Sequence, residues 1–231
     1  MKLNLRNLML LFLTMGLVLT IEGKKKDTRP RVCLETSMGN IVVALSNTTP
    51  IHRDNFLKLA REGYFDGLLF HRVIEGFMIQ GGSSDTRNAP TGAKVGDGNV
   101  GYTLPAEITY PDLFHKRGAL AAARESDDVN PEYRSDGSQF YIVWGRTYTP
   151  EKLAPFNAAL RQASDGELEM TTEIKQTYET LGGTPHLDGA YTVFGEVVEG
   201  LKVVRAIQKV KTDSNDRPLE DVVIKRAVVL P

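Results

Sequence analysis

Phe70-His71-Arg72-Val73-Ile74-Glu75-Gly76-Phe77-Met78-Ile79-Gln80-Gly81-Gly82 decides how this 231-residue chain is read. The stretch sets one arginine among apolar residues, places a glutamine eight positions later and closes on two glycines. Leu68 to Val73 and Phe77 to Gln80 are expected as short strands bent around Glu75-Gly76. An arginine is rarely buried in an apolar surface without a partner or a task. With Phe77 and Met78 beside it, Arg72 suits a pocket for an apolar ligand carrying one carbonyl, of which a prolyl peptide is an example.

Outward from this run the chain alternates strand signals with turns. Val32 to Glu35 and Asn40 to Ser46 have β-branched, alternating character and flank Ser37-Met38-Gly39, which predicts a hairpin. Pro50 opens a helix from about Ile51 to Glu62, with Thr48 or Thr49 as cap and Gly63 as stop. Its expected apolar stripe is Ile51, Phe56, Leu57, Leu59 and Ala60. Ser83 to Val100 and Arg124 to Gly137 are polar loops. Gly118 to Ala123, Gln139 to Val143, Thr192 to Val198 and Val222 to Leu230 are strands, and Leu201 to Val210 is a helix. Many short strands with two helices predict a mostly β fold, a closed eight-stranded antiparallel barrel capped by two helices. Pro150 to Leu181 breaks the pattern with two polar helices, about 151–163 and 168–181, and is expected as a helical insertion.

Composition excludes several classes. At 41% hydrophobic and 25% charged the chain is ordinary for a globular protein. A net charge of −1 gives no basic bias toward nucleic acid. The four histidines, His52, His71, His115 and His186, are scattered, and Cys33 stands alone, so neither a metal site nor an intramolecular disulfide is expected. Cys33 is expected as a small core residue.

Lys2 and Arg6 precede a charge-free run of 14 residues, Leu8 to Ile21. That is short for a membrane span and suits a secretory leader, so residues 1–23 are expected as a signal peptide and residues 24–30 as a linker. The alternative is an uncleaved anchor facing the periplasm, because Val18, Thr20 and Gly23 make only a fair cleavage site. Loss of residues 1–23 would leave a net charge of −2.

Three motifs fail on context. Gly96-Asp97-Gly98-Asn99-Val100-Gly101 matches a dinucleotide fingerprint, but a loop precedes it and Tyr102-Thr103-Leu104-Pro105 does not start a helix in that register. His52-Arg53-Asp54 lies on the first helix and reads as a solvated face. His186 and Asp188 have no G-x-S-x-G serine to serve.

The Phe70–Gly82 residues agree on one chemistry. Rotation about an X-Pro amide faces a barrier of about 18–20 kcal/mol. Lowering it needs no nucleophile, metal or cofactor. It needs an apolar slot for the ring and a donor that favours the twisted amide over the planar one. A guanidinium can supply that donor.

Further runs point the same way: Asn55-Phe56-Leu57-Lys58-Leu59-Ala60, Gly63-Tyr64-Phe65-Asp66-Gly67, Gly118-Ala119-Leu120-Ala121-Ala122-Ala123-Arg124, Gly137-Ser138-Gln139-Phe140-Tyr141-Ile142 and the segment Leu187 to Gly200. Together with Phe70–Gly82 they resemble, in order and over roughly residues 31–230, the signatures of the cyclophilins, the peptidyl-prolyl cis–trans isomerases. The resemblance implies that Arg72 is the catalytic arginine and that Gln80 orients it and reaches the substrate. It implies that Phe77, Met78, Tyr141 and Leu187 line the proline pocket, Tyr141 standing where many members have phenylalanine. Ala123 and Arg124 would bind the peptide backbone before the proline, Gln139 would border that groove, and the Tyr191 hydroxyl could contact the substrate carbonyl. His186 stands where cyclosporin-sensitive members carry tryptophan, so weak cyclosporin binding is expected. Glu75 replaces a common proline with little expected effect. The implied protein is an exported, bacterial-type monomer that needs no cofactor and acts on proline-containing polypeptides during folding. The rival from another class is a module that holds proline-containing segments without turnover.

Overall fold

The computed structural model describes residues 27–231. The expected leader, residues 1–23, lies outside them. Strands β1 (Arg31–Thr36) and β2 (Gly39–Leu45) form the predicted hairpin, and α1 (Pro50–Arg61) follows. Next come β3 (Arg72–Ile74), β4 (Met78–Gly81), β5 (Thr103–Leu104), β6 (Ala119–Ala122), β7 (Ser135–Asp136) and β8 (Phe140–Val143). Helices α2 (Pro150–Ala163) and α3 (Thr172–Thr180) precede β9 (Val193–Glu199), α4 (Leu201–Ile207) and β10 (Ile224–Leu230). Eight strands make one antiparallel sheet in the order β10-β1-β2-β9-β6-β8-β4-β3.

The expected closed barrel is corrected to a curled half-barrel, with β10 and β3 as its two edges. The segments beside these edges meet through one isolated bridge, Leu69 with Val223, with Ile224 N–H to Leu68 C=O (2.8 Å), Phe70 N–H to Val222 C=O (2.9 Å) and Gly67 N–H to Ile224 C=O (2.8 Å). Past this point the two edges part: Val73 N–H donates to the Asp216 carbonyl (2.8 Å) rather than to a β10 residue, while Leu69 N–H, on the side away from Val223, donates to the Thr86 hydroxyl (3.1 Å). The strand expected over Leu68 to Val73 therefore shortens to Arg72–Ile74.

Period-2 alternation divides each central strand between two environments. Val32, Leu34, Ile41, Val43, Leu45, Leu120, Ala122, Phe140 and Ile142 face the main core, where Phe56, Phe65 and Phe194 join them. Their neighbours Ala119, Ala121, Tyr141, Val143, Met78 and Val193 face outward into a second cluster. Cys33 is buried, as expected.

Helix α1 differs from its expected pattern in two ways. Ile51 is exposed, while His52 is buried and takes its place, so His52-Arg53-Asp54 is not a fully solvated face. Thr49 occupies the N-cap without a side-chain cap bond. Glu107 caps the helix from a distant loop, accepting from Ile51 N–H (3.0 Å), His52 N–H (2.9 Å) and His52 Nδ1 (2.7 Å). A carboxylate suits the positive end of a helix.

The insertion has its own core of Leu153, Leu160, Met170, Ile174 and Tyr178. Its second helix starts later than expected because the Thr171 hydroxyl caps it by accepting from Ile174 N–H (3.2 Å). Residues 27–30 are docked rather than free: Pro30 C=O accepts from Leu45 N–H (2.8 Å) and Arg29 pairs with Glu196 (2.7 Å).

Candidate active site

Cross-strand register assembles the site. Arg72 on β3 pairs with Gln80 on β4, Gln80 with Tyr141 on β8, and Tyr141 with Ala121 on β6. Directly opposed residues share a face, so the sheet presents Arg72, Gln80, Tyr141 and Ala121 as one row on its outer side. Ala121 is small and leaves room above the sheet. The turn Ile74–Phe77, closed by Phe77 N–H to Ile74 C=O (3.0 Å), brings Phe77 over that space. Trp144 and Gly145 N–H both donate to the Phe77 carbonyl (2.9 Å each), and Gln208, the C-cap residue of α4, accepts from Gly76 N–H (2.8 Å).

The result is a pocket of about 140 Å³ lined by Arg72, Phe77, Met78, Gln80, Ala123, Arg124, Tyr141, Leu187 and Tyr191. A cavity of about 150 Å³ admits one benzene ring, so the volume suits a single five-membered ring. Nine of the eleven residues expected at the site line this pocket. Gln139 stands behind Gln80 and borders a neighbouring polar groove of about 460 Å³, shared with Ala123 and Arg124. His186 is exposed at the rim, its ring 5.4 Å from that of Phe77.

Arg72 is not buried. Its side chain is 43% exposed, at the edge of the pocket, with Nη1 3.4 Å from Gln80 Oε1 and Nε 3.5 Å from Asp216 Oδ2. A chain of amides sets which face of Gln80 it meets. The carbonyls of Gly96 (2.9 Å) and Gly98 (3.0 Å) accept from Gln139 Nε2. Gln139 Oε1 then accepts from Gln80 Nε2 (3.0 Å), which turns Gln80 Oε1 toward the guanidinium. The G-x-G-x-x-G run is thus a loop, as read, with a use of its own. Asp85 holds it by accepting from Gly96 N–H (3.0 Å) and Asp97 N–H (3.1 Å).

The Arg124 side chain is buried and its guanidinium is held by neighbouring residues. It lies 4.6 Å from the Tyr133 ring centre and 4.2 Å from that of Tyr191, and Nε donates to Ala190 C=O (2.9 Å). Among the described residues its own backbone N–H and C=O make no hydrogen bond. A peptide strand can meet them there.

Tyr141 is fully buried, and burial holds its hydroxyl pKa well above the usual tyrosine value, so the hydroxyl keeps its proton. It lies 3.0 Å from His115 Nε2. Sequence reading missed His115, Tyr178, Asp216 and the Gly96 and Gly98 carbonyls. No local pattern marks them, because each acts through a contact between distant segments. Among the described residues no cluster of side chains with metal-binding character occurs.

A ring-sized pocket with Phe77, Met78, Tyr141 and Leu187 in its wall and the Arg72 guanidinium at its edge, on the outer face of a curled antiparallel sheet, suits a small apolar ring beside a carbonyl. Residues 31–229 match the family described as cyclophilin type peptidyl-prolyl cis-trans isomerase, and the chain belongs to that family of enzymes. A Staphylococcus aureus protein named as a peptidyl-prolyl cis–trans isomerase is 36% identical over 197 residues, covering 84% of this chain and 89% of that one. A Streptococcus pyogenes protein named as a bifunctional phosphatase/peptidyl-prolyl cis–trans isomerase is 37% identical over 208 residues, but the chain spans only 39% of its length. In fold, a Cryptosporidium parvum cyclophilin-type isomerase solved in the presence of the dipeptide Ala-Pro is similar, with a TM-score of 0.61 and 25% identity, covering 87% of this chain and 99% of that one.

Proposed function

We propose that this chain accelerates cis–trans rotation of X-Pro bonds in exported polypeptides and so assists their folding, acting as a monomer without a cofactor. Uncatalysed isomerisation takes tens to hundreds of seconds and can limit folding. The pyrrolidine ring enters the pocket between Phe77, Met78, Tyr141 and Leu187. The backbone before it lies along Ala123 and Arg124. Arg72 donates to the prolyl nitrogen as the amide twists and its lone pair is freed. That contact is absent from the planar ground state, so it lowers the barrier rather than only tightening binding.

The observation that carries the reading is the amide chain from Gly96 and Gly98 through Gln139 and Gln80 to Arg72. It holds a guanidinium ready at the edge of a ring-sized pocket. Export rests on Lys2, Arg6 and the charge-free run Leu8 to Ile21, and N-terminal sequencing of the native protein tests it.

The activity test compares the chain with its Arg72→Ala variant on a short X-Pro peptide. Loss of one preorganised donor is expected to lower kcat/KM about 100-fold or more, with an unchanged circular dichroism spectrum. A parent rate near the uncatalysed one would leave a proline-binding module instead.

A further inference from the structure

We propose that the inserted helices, residues 150–181, are a positioning element of the proline pocket, and that Tyr178 is the residue through which they act. The proposal rests on the pocket being the isomerase site.

A buried chain of side chains runs from α3 to the pocket wall. The Tyr178 hydroxyl donates to Asp188 Oδ2 (2.6 Å). Asp188 Oδ1 accepts from the His115 backbone N–H (2.9 Å) and from His115 Nδ1 (2.9 Å). An acceptor-only carboxylate at Nδ1 puts the proton of a neutral imidazole there and leaves Nε2 as the acceptor. In that tautomer the Tyr141 O–H donates a hydrogen bond to His115 Nε2 (3.0 Å). Tyr178, Asp188, His115 and Tyr141 are all buried, so solvent cannot replace a missing partner. A buried carboxylate needs its donors, and removal of one costs far more than at a surface.

A second route touches the same pocket. The Phe156 ring of α2 lies 6.2 Å from His186, and His186 lies 5.4 Å from Phe77. The insertion thus reaches both the Tyr141 wall and the Phe77 wall. Its exit is fixed against the sheet: Gly183 bridges both Lys116 and Arg146, and Thr184 N–H donates to the His115 carbonyl (2.9 Å). A side chain at Gly183 would meet that carbonyl at 2.2 Å. Tyr178 belongs to the insertion, outside the family signatures. Phenylalanine, which many members carry at the position of Tyr141, has no hydroxyl to bond His115.

The test is a double-mutant cycle in the full chain with Tyr178→Phe, Tyr141→Phe and the pair, read as kcat/KM on an X-Pro peptide and as peptide affinity. Melting temperatures are recorded for each variant. Tyr178→Phe is expected to lower kcat/KM about fivefold or more, and to add nothing once Tyr141 is phenylalanine. Independent effects that multiply in the pair, or no effect of Tyr178→Phe, would overturn the proposal. A merely structural loss at Tyr178 would persist in the pair. If Tyr178→Phe does not fold, Asp188→Asn takes its place in the cycle with the same two outcomes. If the parent chain shows no turnover, the isomerase reading fails on its own, and the affinity cycle still decides the coupling.

Discussion

Gln139 shows how a backbone can aim a side chain two contacts away. Its amide nitrogen is committed to two loop carbonyls, so its oxygen must face Gln80, and the Gln80 oxygen must face Arg72. Replacing Gln139 with leucine keeps the volume and removes the direction. The Gln139→Leu variant should lose about ten- to 100-fold in kcat, with a smaller change in KM because the apolar pocket is untouched. Steady-state isomerisation kinetics check this. His71, next to Arg72 in the chain, makes a different prediction. Burial is the main cause that holds its pKa at about 4, below the ordinary histidine value of 6.5, and Nδ1 has no partner among the described residues. The folded state thus binds this proton less readily than the unfolded chain. Stability from His71 is complete above pH 6.5 and falls as the pH drops to about 4. The total loss is about 3 kcal/mol, and it levels off below that window. Urea midpoints at pH 7 and pH 4.5 should differ less in His71→Phe than in the parent chain. His52, whose pKa burial also lowers, supplies part of the remaining acid sensitivity.

Among the elements, α1 shows most plainly what local sequence cannot reach. Proline at its first turn and the stripe from Phe56 to Ala60 mark the helix, but the carboxylate that caps it lies 55 residues from His52. Glu107→Ala should cost about 2 kcal/mol in urea unfolding, and Glu107→Gln less, since an amide oxygen still accepts. Strands with long alternation, such as β1, β2 and β9, were legible because one face of each must be apolar. The pairing of β5 with β7 was not, because two residues carry no period. The open edge between β3 and β10 escaped notice for another reason: the Val73 N–H on that edge is taken by the Asp216 carbonyl, a bond that leaves no trace in hydrophobic pattern. The pocket itself was largely legible. Arg72, Gln80 and Tyr141 sit at positions that strand register must align. The links behind them, through His115, Asp188 and Tyr178, depend on where an insertion docks, which periodicity does not encode.

At the scale of the whole molecule, three apolar clusters are stacked in sequence. The main core lies on one face of the sheet and the pocket cluster on the other, and the insertion core is joined to the pocket cluster through Phe156–His186–Phe77 and Tyr178–Asp188–His115–Tyr141. The pocket is therefore supported from both sides, by a large core and by a small one. The small core rests on five buried side chains, and Tyr178 is both one of them and the first link toward Tyr141. Small cores are the first to open, because local unfolding follows local burial. Ile174→Ala removes buried methyl groups from α3 at a cost of about 2–5 kcal/mol, most of the stability that so small a cluster can hold. Its melting curve should split into two steps, and isomerase activity should fall in the first while the circular dichroism of the sheet persists to the second. Limited proteolysis between the two steps should cut near the exposed turn at residues 165–167. Leu34→Ala, deep in the main core, should instead lower a single transition in which activity and sheet are lost together. If Ile174→Ala also melts in one step with full activity up to that point, the pocket does not depend on the insertion core, and the half-barrel alone holds Tyr141 in place.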